Sequence, residues 1–369
     1  MSEPTSISRA EMVRAFLASD PSFEGVFWTA VRTTGIFCRP TCPARKPKPE
    51  NCDFFRSIRE ALFAGYRACK RCRPMELLGA APDWVAPLLH KIDSDPQPRV
   101  QAQQLREQGL DPGRVRRWFV ANYGMTFAAY CRAKRLGGAL QQLRTGAAVD
   151  EVVFDSGYRS HSGFRDAFGK TFGQAPGKGR GMEPVVTTMI ESPVGPLLAG
   201  ARDSGICLLE FTDRRMLEAQ LQTVQRRLGA ALVPGEHRWL THVTRELGEY
   251  FAAKRREFSV PLVAPGTPFQ EQVWAELLKI PYGATICYEE LARRVGRPGA
   301  SRSVGTANGM NRLAILIPCH RVLNKSGQLG GYGGGVWRKQ RLLQLELGHA
   351  GMERSFGAIS SGVQLRLVP

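Results

Sequence analysis

The chain has 369 residues, 43% of them apolar, and 51 Lys and Arg against 33 Asp and Glu, a formal net charge of +18. That length exceeds one ordinary domain and predicts two to four, each able to bury a core. The charge points to a polyanionic partner, although a merely soluble basic protein would show it too. Met1 to Arg14 has no apolar signal core, and no apolar run approaches the ~20 residues of a membrane span, so a cytosolic chain without a membrane partner is expected. Nine cysteines, an odd number in a reducing compartment, suggest metal or thiol chemistry rather than disulfides.

Five of these cysteines fall before residue 80. Cys38 and Cys42 are separated by three residues, Cys69 and Cys72 by two. Two close pairs joined by a loop are what a tetrahedral Zn(Cys)4 site needs. Cys52 stands outside both pairs and is read as core. Arg32, Arg39, Arg45, Lys46, Lys48, Arg67, Lys70, Arg71 and Arg73 surround the pairs, with Phe27, Trp28 and Phe37 interleaved. The clustering suggests phosphate contact.

The string Val31-Arg32-Thr33-Thr34-Gly35-Ile36-Phe37-Cys38-Arg39-Pro40, followed by Cys69-Lys70-Arg71-Cys72, resembles the N-terminal domain of the bacterial Ada family. The resemblance implies that Cys38 is both a zinc ligand and a methyl acceptor, that Cys42, Cys69 and Cys72 complete the ligand set, and that Thr34, Arg45 and Arg67 touch DNA. Pro43 departs from the basic residue common in that family after the second cysteine. A zinc with four thiolates carries a charge of about −2 and is repelled by phosphodiesters, whereas a methyl phosphotriester is neutral and can approach. Methylation of Cys38 would reduce the charge to about −1 and raise DNA affinity, an electrostatic switch.

Pro82, Pro87, Pro96 and Pro98 mark a linker with a short helix over 81–99. Helices are predicted from Val100, from Pro112 to Tyr123 with Asp111 as N-cap, and over Thr126–Leu143. The pattern recurs with Val149–Asp155, a turn at Gly157-Tyr158, and Ser160–Phe172, which sets Phe164, Phe168 and Phe172 on one face. Two such units joined by a helix, with the string from Asp155 to Gly173, resemble the DNA-binding domain of AraC-type regulators. The second helix of each unit would then enter a major groove, with Arg114, Arg116, Arg117, Arg159, His161 and Arg165 as candidate contacts.

After a Gly- and Lys-rich joint at Lys178–Glu183, strands are predicted at Val185–Glu191, Gly195–Arg202 and Gly205–Phe211, and amphipathic helices at Met216–Leu228 and Trp239–Phe251. Cys207 reads as core. Helices follow at Phe269–Ile280, Tyr288–Val295 and Ala300–Asn308, then Asn311, the run Ile315-Leu316-Ile317-Pro318-Cys319-His320-Arg321-Val322, a Gly-rich loop containing Tyr332, and a last helix over Trp337–Leu347. The apolar run suits a buried strand, and the residues after Pro318 could open a helix whose positive end would favour a Cys319 thiolate.

The I-P-C-H-R-V string resembles the acceptor motif of the O6-alkylguanine-DNA alkyltransferases, and the preceding α/β stretch looks like that family's N-terminal subdomain. The resemblance implies Cys319 as acceptor, His320 as its base through a water, and Glu346 orienting His320. Asn311 would tie the recognition helix to the cysteine turn, Tyr288 would protonate the leaving base, Arg302 would fill the stack, and Tyr332 would cover the flipped base. From residue type alone, Glu346 could be a helix-surface carboxylate, Tyr288 a core tyrosine and Arg302 a phosphate contact. Cys287, where the family usually has serine, could cap a helix or be a second reactive thiol.

The expectation is a multidomain α/β protein: a Zn(Cys)4 domain at 1–80, an all-α double helix-turn-helix domain at 81–180, an α/β subdomain at 184–263 and a helical, winged-helix-like alkyltransferase domain at 264–355. The resemblance implies a single-turnover methyltransferase that is also a transcription regulator, taking methyl groups from O6-methylguanine, O4-methylthymine and phosphotriesters. It further implies one zinc ion, double-stranded DNA and RNA polymerase as partners, a monomer, and a nucleoid-associated cytoplasmic location. A zinc-dependent transcription factor that binds alkylated DNA without repairing it, or a repair protein with a nonspecific DNA clamp, remains an alternative.

Overall fold

The computed structural model describes residues 8–20, 23–75, 82–95, 98–214 and 216–348. Pro96 of the linker, and residues 1–7, 76–81 and 349–355 of the expected domains, lie outside them. The chain divides into two compact units: residues 1–78, 268–311 and 317–369 in one, 79–267 and 312–316 in the other. Among the described residues no helix is long and apolar enough to cross a membrane.

The N-terminal part of the first unit starts with helix α1 (Arg9–Ala18), held by a reciprocal cap between Ser8 and Glu11. Strands β1 (Trp28–Val31), β2 (Ile36–Cys38) and β3 (Cys52–Phe55), helix α2 (Ile58–Phe63) and strand β4 (Arg67–Ala68) follow. The strands form one sheet in the order β3-β1-β2-β4, with β4 parallel to β2. Gly35 at φ +64 closes the β1–β2 turn, where a side chain would be strained. Phe37 and Ala30 pack with Ala61 on one side of this small core, and Cys52 packs with Phe16 and Phe27 on another, the structural role read for it from sequence. β2 therefore ends at Cys38, and β4 leads directly to Cys69.

The second unit contains α3 (Val85–Asp93), α4 (Ala102–Glu107), α5 (Pro112–Tyr123), α6 (Phe127–Arg144), α7 (Val149–Asp155) and α8 (His161–Phe172). Caps fix their starts: Asp111, as expected, accepts the Arg114 N–H at 2.6 Å, and Thr126 and Ser160, read from sequence as first helical residues, cap instead, accepting from Ala129 at 3.3 Å and Gly163 at 3.2 Å. Phe164 and Phe168 are buried against Leu136, Leu140 and Val153, with Phe172 at the margin. Strands β5 (Val185–Ile190), β6 (Leu197–Arg202) and β7 (Gly205–Phe211), helix α9 (Leu217–Leu228), strand β8 (Leu232–Pro234) and helix α10 (Arg238–Phe251) complete this stretch. The sheet order is β7-β6-β5-β8, with β8 parallel to β5. One continuous core joins Val115, Phe119, Tyr123 and Tyr130 of the helical half to Leu208, Leu217, Leu221 and Val224 of the sheet half. Asp203 adds polar ties to it through Arg144 at 2.6 Å and the Trp239 indole at 2.9 Å.

Back in the first unit, α11 (Pro268–Leu278), β9 (Ile286–Cys287), α12 (Tyr288–Arg294) and α13 (Ser301–Gly309) lead towards the cysteine turn, and β10 (Val322–Leu323) and α14 (Val336–Leu347) follow it. β9 and β10 pair in parallel. The run before Cys319 is not the strand predicted. Leu313 makes a single parallel bridge to Leu209 of β7, and Ile315 then turns away at φ +71, a left-handed conformation that costs a β-branched residue about 1–3 kcal/mol. Nor does an α-helix follow Pro318. Cys319–Arg321 form one three-residue 3-10 turn, and the Cys319 N–H is already given to Ile317 O at 2.8 Å.

Candidate functional site

The sheet of the N-terminal segment brings Cys38, Cys42, Cys69 and Cys72 together, with their sulfurs all within 4.8 Å of one another. Four thiolates around a tetrahedral zinc lie about 3.8 Å apart, so this donor set fits that ion with little movement. The thiols influence one another's ionisation. Hydrogen bonds from Cys38 and Cys72 pull Cys42 far below the usual thiol range, and hydrogen bonds with Cys42 and Cys72 push Cys38 far above it. One thiolate is favoured here, and further ones are opposed unless a cation sits among them. The backbone N–H of Arg39 donates to Cys72 Sγ at 3.3 Å. Arg39 also ties its guanidinium to Cys72 O at 3.0 Å and to buried Glu24 at 3.5 Å.

Cys319 is buried at 6% exposure. No α-helix opens at Cys319, so the predicted dipole effect of such a helix is absent. The Asn311 side-chain amide donates instead, to Cys319 Sγ at 3.1 Å and to Ile317 O at 2.9 Å. Asn308 donates to Cys319 O at 3.3 Å. His320 is fully buried, and its Nε2 lies 2.8 Å from Glu346 Oε1. Arg321 reaches the same carboxylate with Nε and Nη2, each at 2.9 Å, and the Gly283 N–H reaches it at 3.2 Å.

Burial opposes ionisation of Glu346, but His320 and Arg321 outweigh it and hold the carboxyl well below its usual range. Burial lowers His320 in spite of Glu346. Because Arg321 already neutralises the carboxylate, His320 need not carry a charge. A neutral His320 that donates through Nε2 leaves the Nδ1 lone pair bare, and Nδ1 has no protein partner among the described residues. Burial pushes the Tyr288 hydroxyl up, and charge on Cys319 pushes it further. Gly330 approaches the Tyr288 ring so closely that a Cβ there would lie 3.1 Å from Cε2.

Four family models match the chain in succession. They are the metal binding domain of Ada at 11–75, a helix-turn-helix domain at 105–182, and the ribonuclease-like and DNA binding domains of 6-O-methylguanine DNA methyltransferase at 185–264 and 268–348. The bifunctional transcriptional activator/DNA repair enzyme Ada of Escherichia coli is 35% identical over 94% of this chain and 98% of its own length. The chain belongs to the Ada family. The methylated-DNA–protein-cysteine methyltransferase of Mycobacterium tuberculosis is 44% identical over 44% of this Ada-family chain and 92% of its own length. The crystal structure of Mycobacterium tuberculosis OGT in complex with DNA aligns at 41% identity and a TM-score of 0.39, covering 44% of this chain and 93% of that one. The metal centre of this Ada-family protein takes one zinc ion.

The remaining candidates of the Ada-family chain are placed as follows. Thr34 is exposed in the β1–β2 turn, and Arg45 and Arg67 are exposed as well. Arg114, Arg116 and Arg117 are exposed on α5, Arg165 on α8, Arg159 just ahead of α8 and Arg302 on α13. His161 is held beside Asp150 at 3.5 Å and against the Phe154 ring. Tyr332 is half-buried. Cys287 caps α12, its sulfur accepting the Glu290 N–H at 3.4 Å, and Cys207 is core. Sequence reasoning missed three residues of the Cys319 surroundings: Asn308, Arg321 and Lys339. Lys339 is fully buried, gives Nζ to Val322 O and lies 5.8 Å from the Tyr288 ring centroid. Burial pulls it down to about 8, while Cys319 opposes the shift. Arg321 was visible within the P-C-H-R-V string, but nothing in the string says that it faces a carboxylate.

Proposed function

We propose that the chain repairs alkylated DNA with two thiols, Cys38 for methyl phosphotriesters and Cys319 for O6-methylguanine and O4-methylthymine, and that methylated Cys38 raises sequence-specific DNA affinity and switches on transcription of alkylation-response genes. Membership in the Ada family makes it a DNA-repair methyltransferase with zinc-binding and helix-turn-helix regulatory parts that bind DNA. The observation that carries the reading for Cys319 is the polar chain around its sulfur: Asn311 donating to it, and His320 with Nδ1 bare and Nε2 fixed by Glu346.

In this mechanism His320 Nδ1 takes the thiol proton through a water, and Glu346 steadies the resulting imidazolium. The Asn311 amide steadies the thiolate. Sulfur forms a bond to the methyl carbon as the C–O6 bond breaks, and the electron pair goes to the base, which Tyr288 protonates. Arg302 fills the gap left by the extruded nucleotide and Tyr332 covers it, against an unstacking cost of roughly a few kcal/mol. At the metal centre Cys38, Cys42, Cys69 and Cys72 hold zinc, which keeps thiols deprotonated at neutral pH. Cys38 takes the triester methyl, the C–O bond breaks, and the phosphate regains its negative charge. A thioether is a poor methyl donor, so each thiol reacts once.

Thr34, Arg45 and Arg67 are read as DNA contacts of the N-terminal part, and Arg114, Arg116, Arg159 and Arg165 as contacts of the regulator. The division 1–80, 81–180, 184–263 and 264–355, a monomer, contact with RNA polymerase and a cytoplasmic, nucleoid-associated location belong to the same proposal. A regulator that only binds lesions has no need of the Cys319 thiol. Two labelled duplexes test the reading, one with O6-methylguanine and one with methyl phosphotriesters, followed by peptide mass mapping. One methyl on the Cys319 peptide from the first and one on the Cys38 peptide from the second is expected. Neither peptide gaining mass, or sustained turnover, refutes it.

A further inference from the structure

Lys46 is a half-buried cation beside the metal centre that forms no ion pair with a carboxylate among the described residues. Its Nζ donates to Pro40 O at 2.6 Å, inside the loop that joins Cys38 to Cys42. On its other side lies the ring of buried Phe16, with the centroid 4.4 Å from Nζ. Among the described residues no Asp or Glu comes within ion-pair distance of it. The nearby acid, Glu24, is already engaged by Arg39 and by the Thr41 hydroxyl and N–H. An ammonium held between a carbonyl and an aromatic face has lost part of its hydration and needs negative charge close by. Pro40 stands midway between the ligands Cys38 and Cys42, which brings the ammonium beside the thiolate centre, and Cys42 and Cys38, followed by Glu24, sustain its protonated form against burial.

We propose that Lys46 is a built-in counter-cation of the zinc–thiolate centre, setting both the nucleophilicity of Cys38 and the charge the centre presents to DNA. The inference rests on the functional reading of Cys38 given above. With the ammonium in place, the centre and its immediate surroundings go from about −1 to about 0 on methylation, rather than from about −2 to about −1. Both states are thereby more tolerant of phosphate, and the thiolate is a weaker nucleophile than an unaccompanied one. The Phe16 ring makes helix α1 part of the metal centre's electrostatics although it supplies no ligand.

The test uses the full zinc-loaded chain and methyl iodide, a small neutral methyl donor that needs no DNA contact. Lys46→Gln should raise the rate of Cys38 methylation by about three- to tenfold, the effect of removing one neighbouring unit charge in a half-exposed setting. It should also speed transfer of zinc to a competing chelator by a similar factor. Lys46→Arg should stay within about twofold of the parent in both. Should Lys46→Gln fail to hold zinc, Phe16→Leu decides, since it removes the ring but keeps the ammonium and should give a smaller acceleration of both. A methyl iodide rate unchanged in Lys46→Gln, or in Phe16→Leu when that variant decides, overturns the inference. Weaker DNA binding with an unchanged rate would mark Lys46 as a phosphate contact only. A parent chain that accepts a methyl from methyl iodide but none at Cys38 from triester DNA would sink the repair reading instead, and leave this one standing.

Discussion

Glu346→Gln separates charge from shape at the Cys319 site. The carboxylate holds His320, both Arg321 nitrogens and the Gly283 N–H, and its side chain is 0% exposed while that of Arg321 is 8% exposed. An amide of the same size keeps some of these hydrogen bonds but leaves Arg321 without its counter-charge. Stranding one member of a buried ion pair costs roughly 3–5 kcal/mol. Taking the lower end, amides of α14 should exchange with solvent about 150-fold faster, because 1.36 kcal/mol is a factor of ten. Methyl transfer should fall more steeply than stability alone predicts. His320 loses the anion that fixes its Nε2–H and favours its charged form, and a displaced general base commonly costs about 10²-fold or more. Hydrogen exchange followed by mass spectrometry on the full chain gives the first quantity, and single-turnover transfer from an O6-methylguanine duplex, read on the Cys319 peptide, gives the second. A variant with unchanged exchange in α14 and a parental transfer rate would refute the account of His320, Arg321 and Glu346 as one unit.

Asn311→Ala removes the N–H from Cys319 Sγ and from Ile317 O; transfer to Cys319 should slow by about ten- to a hundredfold and the surrounding segment lose about 1–3 kcal/mol, measured by the same two assays. His320 is lowered by burial, so the unfolded chain takes a proton that the folded one refuses: stability of this segment should be full above about pH 6.5 and decline as pH falls, and His320→Asn should flatten that part of the curve. Glu346, held low, should add a second loss beginning below about pH 4.3, seen as steeper unfolding in acid titrations followed by exchange. Cys69→Ser should abolish stoichiometric zinc binding and methyl uptake at Cys38 while leaving transfer to Cys319 within about twofold, checked by metal analysis and peptide mass mapping.

Much of the fold was legible because helices announce their ends. Asp111-Pro112, Thr126 and Ser160 placed three helix starts within a residue, and the spacing of Phe164 and Phe168 gave the buried face. The four sulfur ligands were legible for a different reason: two close cysteine pairs in a reducing compartment seldom serve anything but a metal. The strands around them were not predicted, since β1 to β4 are two to four residues long and too short for alternation to show. β8 has three residues and ends in a proline, which argues against a strand from sequence. The surroundings of Cys319 were misread where backbone and charge break local rules. Isoleucine does not advertise φ +71, and Arg321 and Lys339 would be placed on the surface by residue type. Their burial follows from partners supplied by distant chain, Glu346 for one and Val322 O for the other.

The core shared by α5 and α9 bears on how such a chain can be cut and recombined. A Cβ on Gly124 would come within 2.7 Å of Leu221, so the end of α5 and the flank of the sheet are shaped to each other. A genetic crossover at the Gly-rich joint near residue 180 would part them along an oily seam and expose Leu221, Val224 and Phe119 on the two fragments. A regulator grafted from another lineage would therefore arrive without its matching surface. Exchange of modules should thus be tolerated better on either side of this paired body than through it.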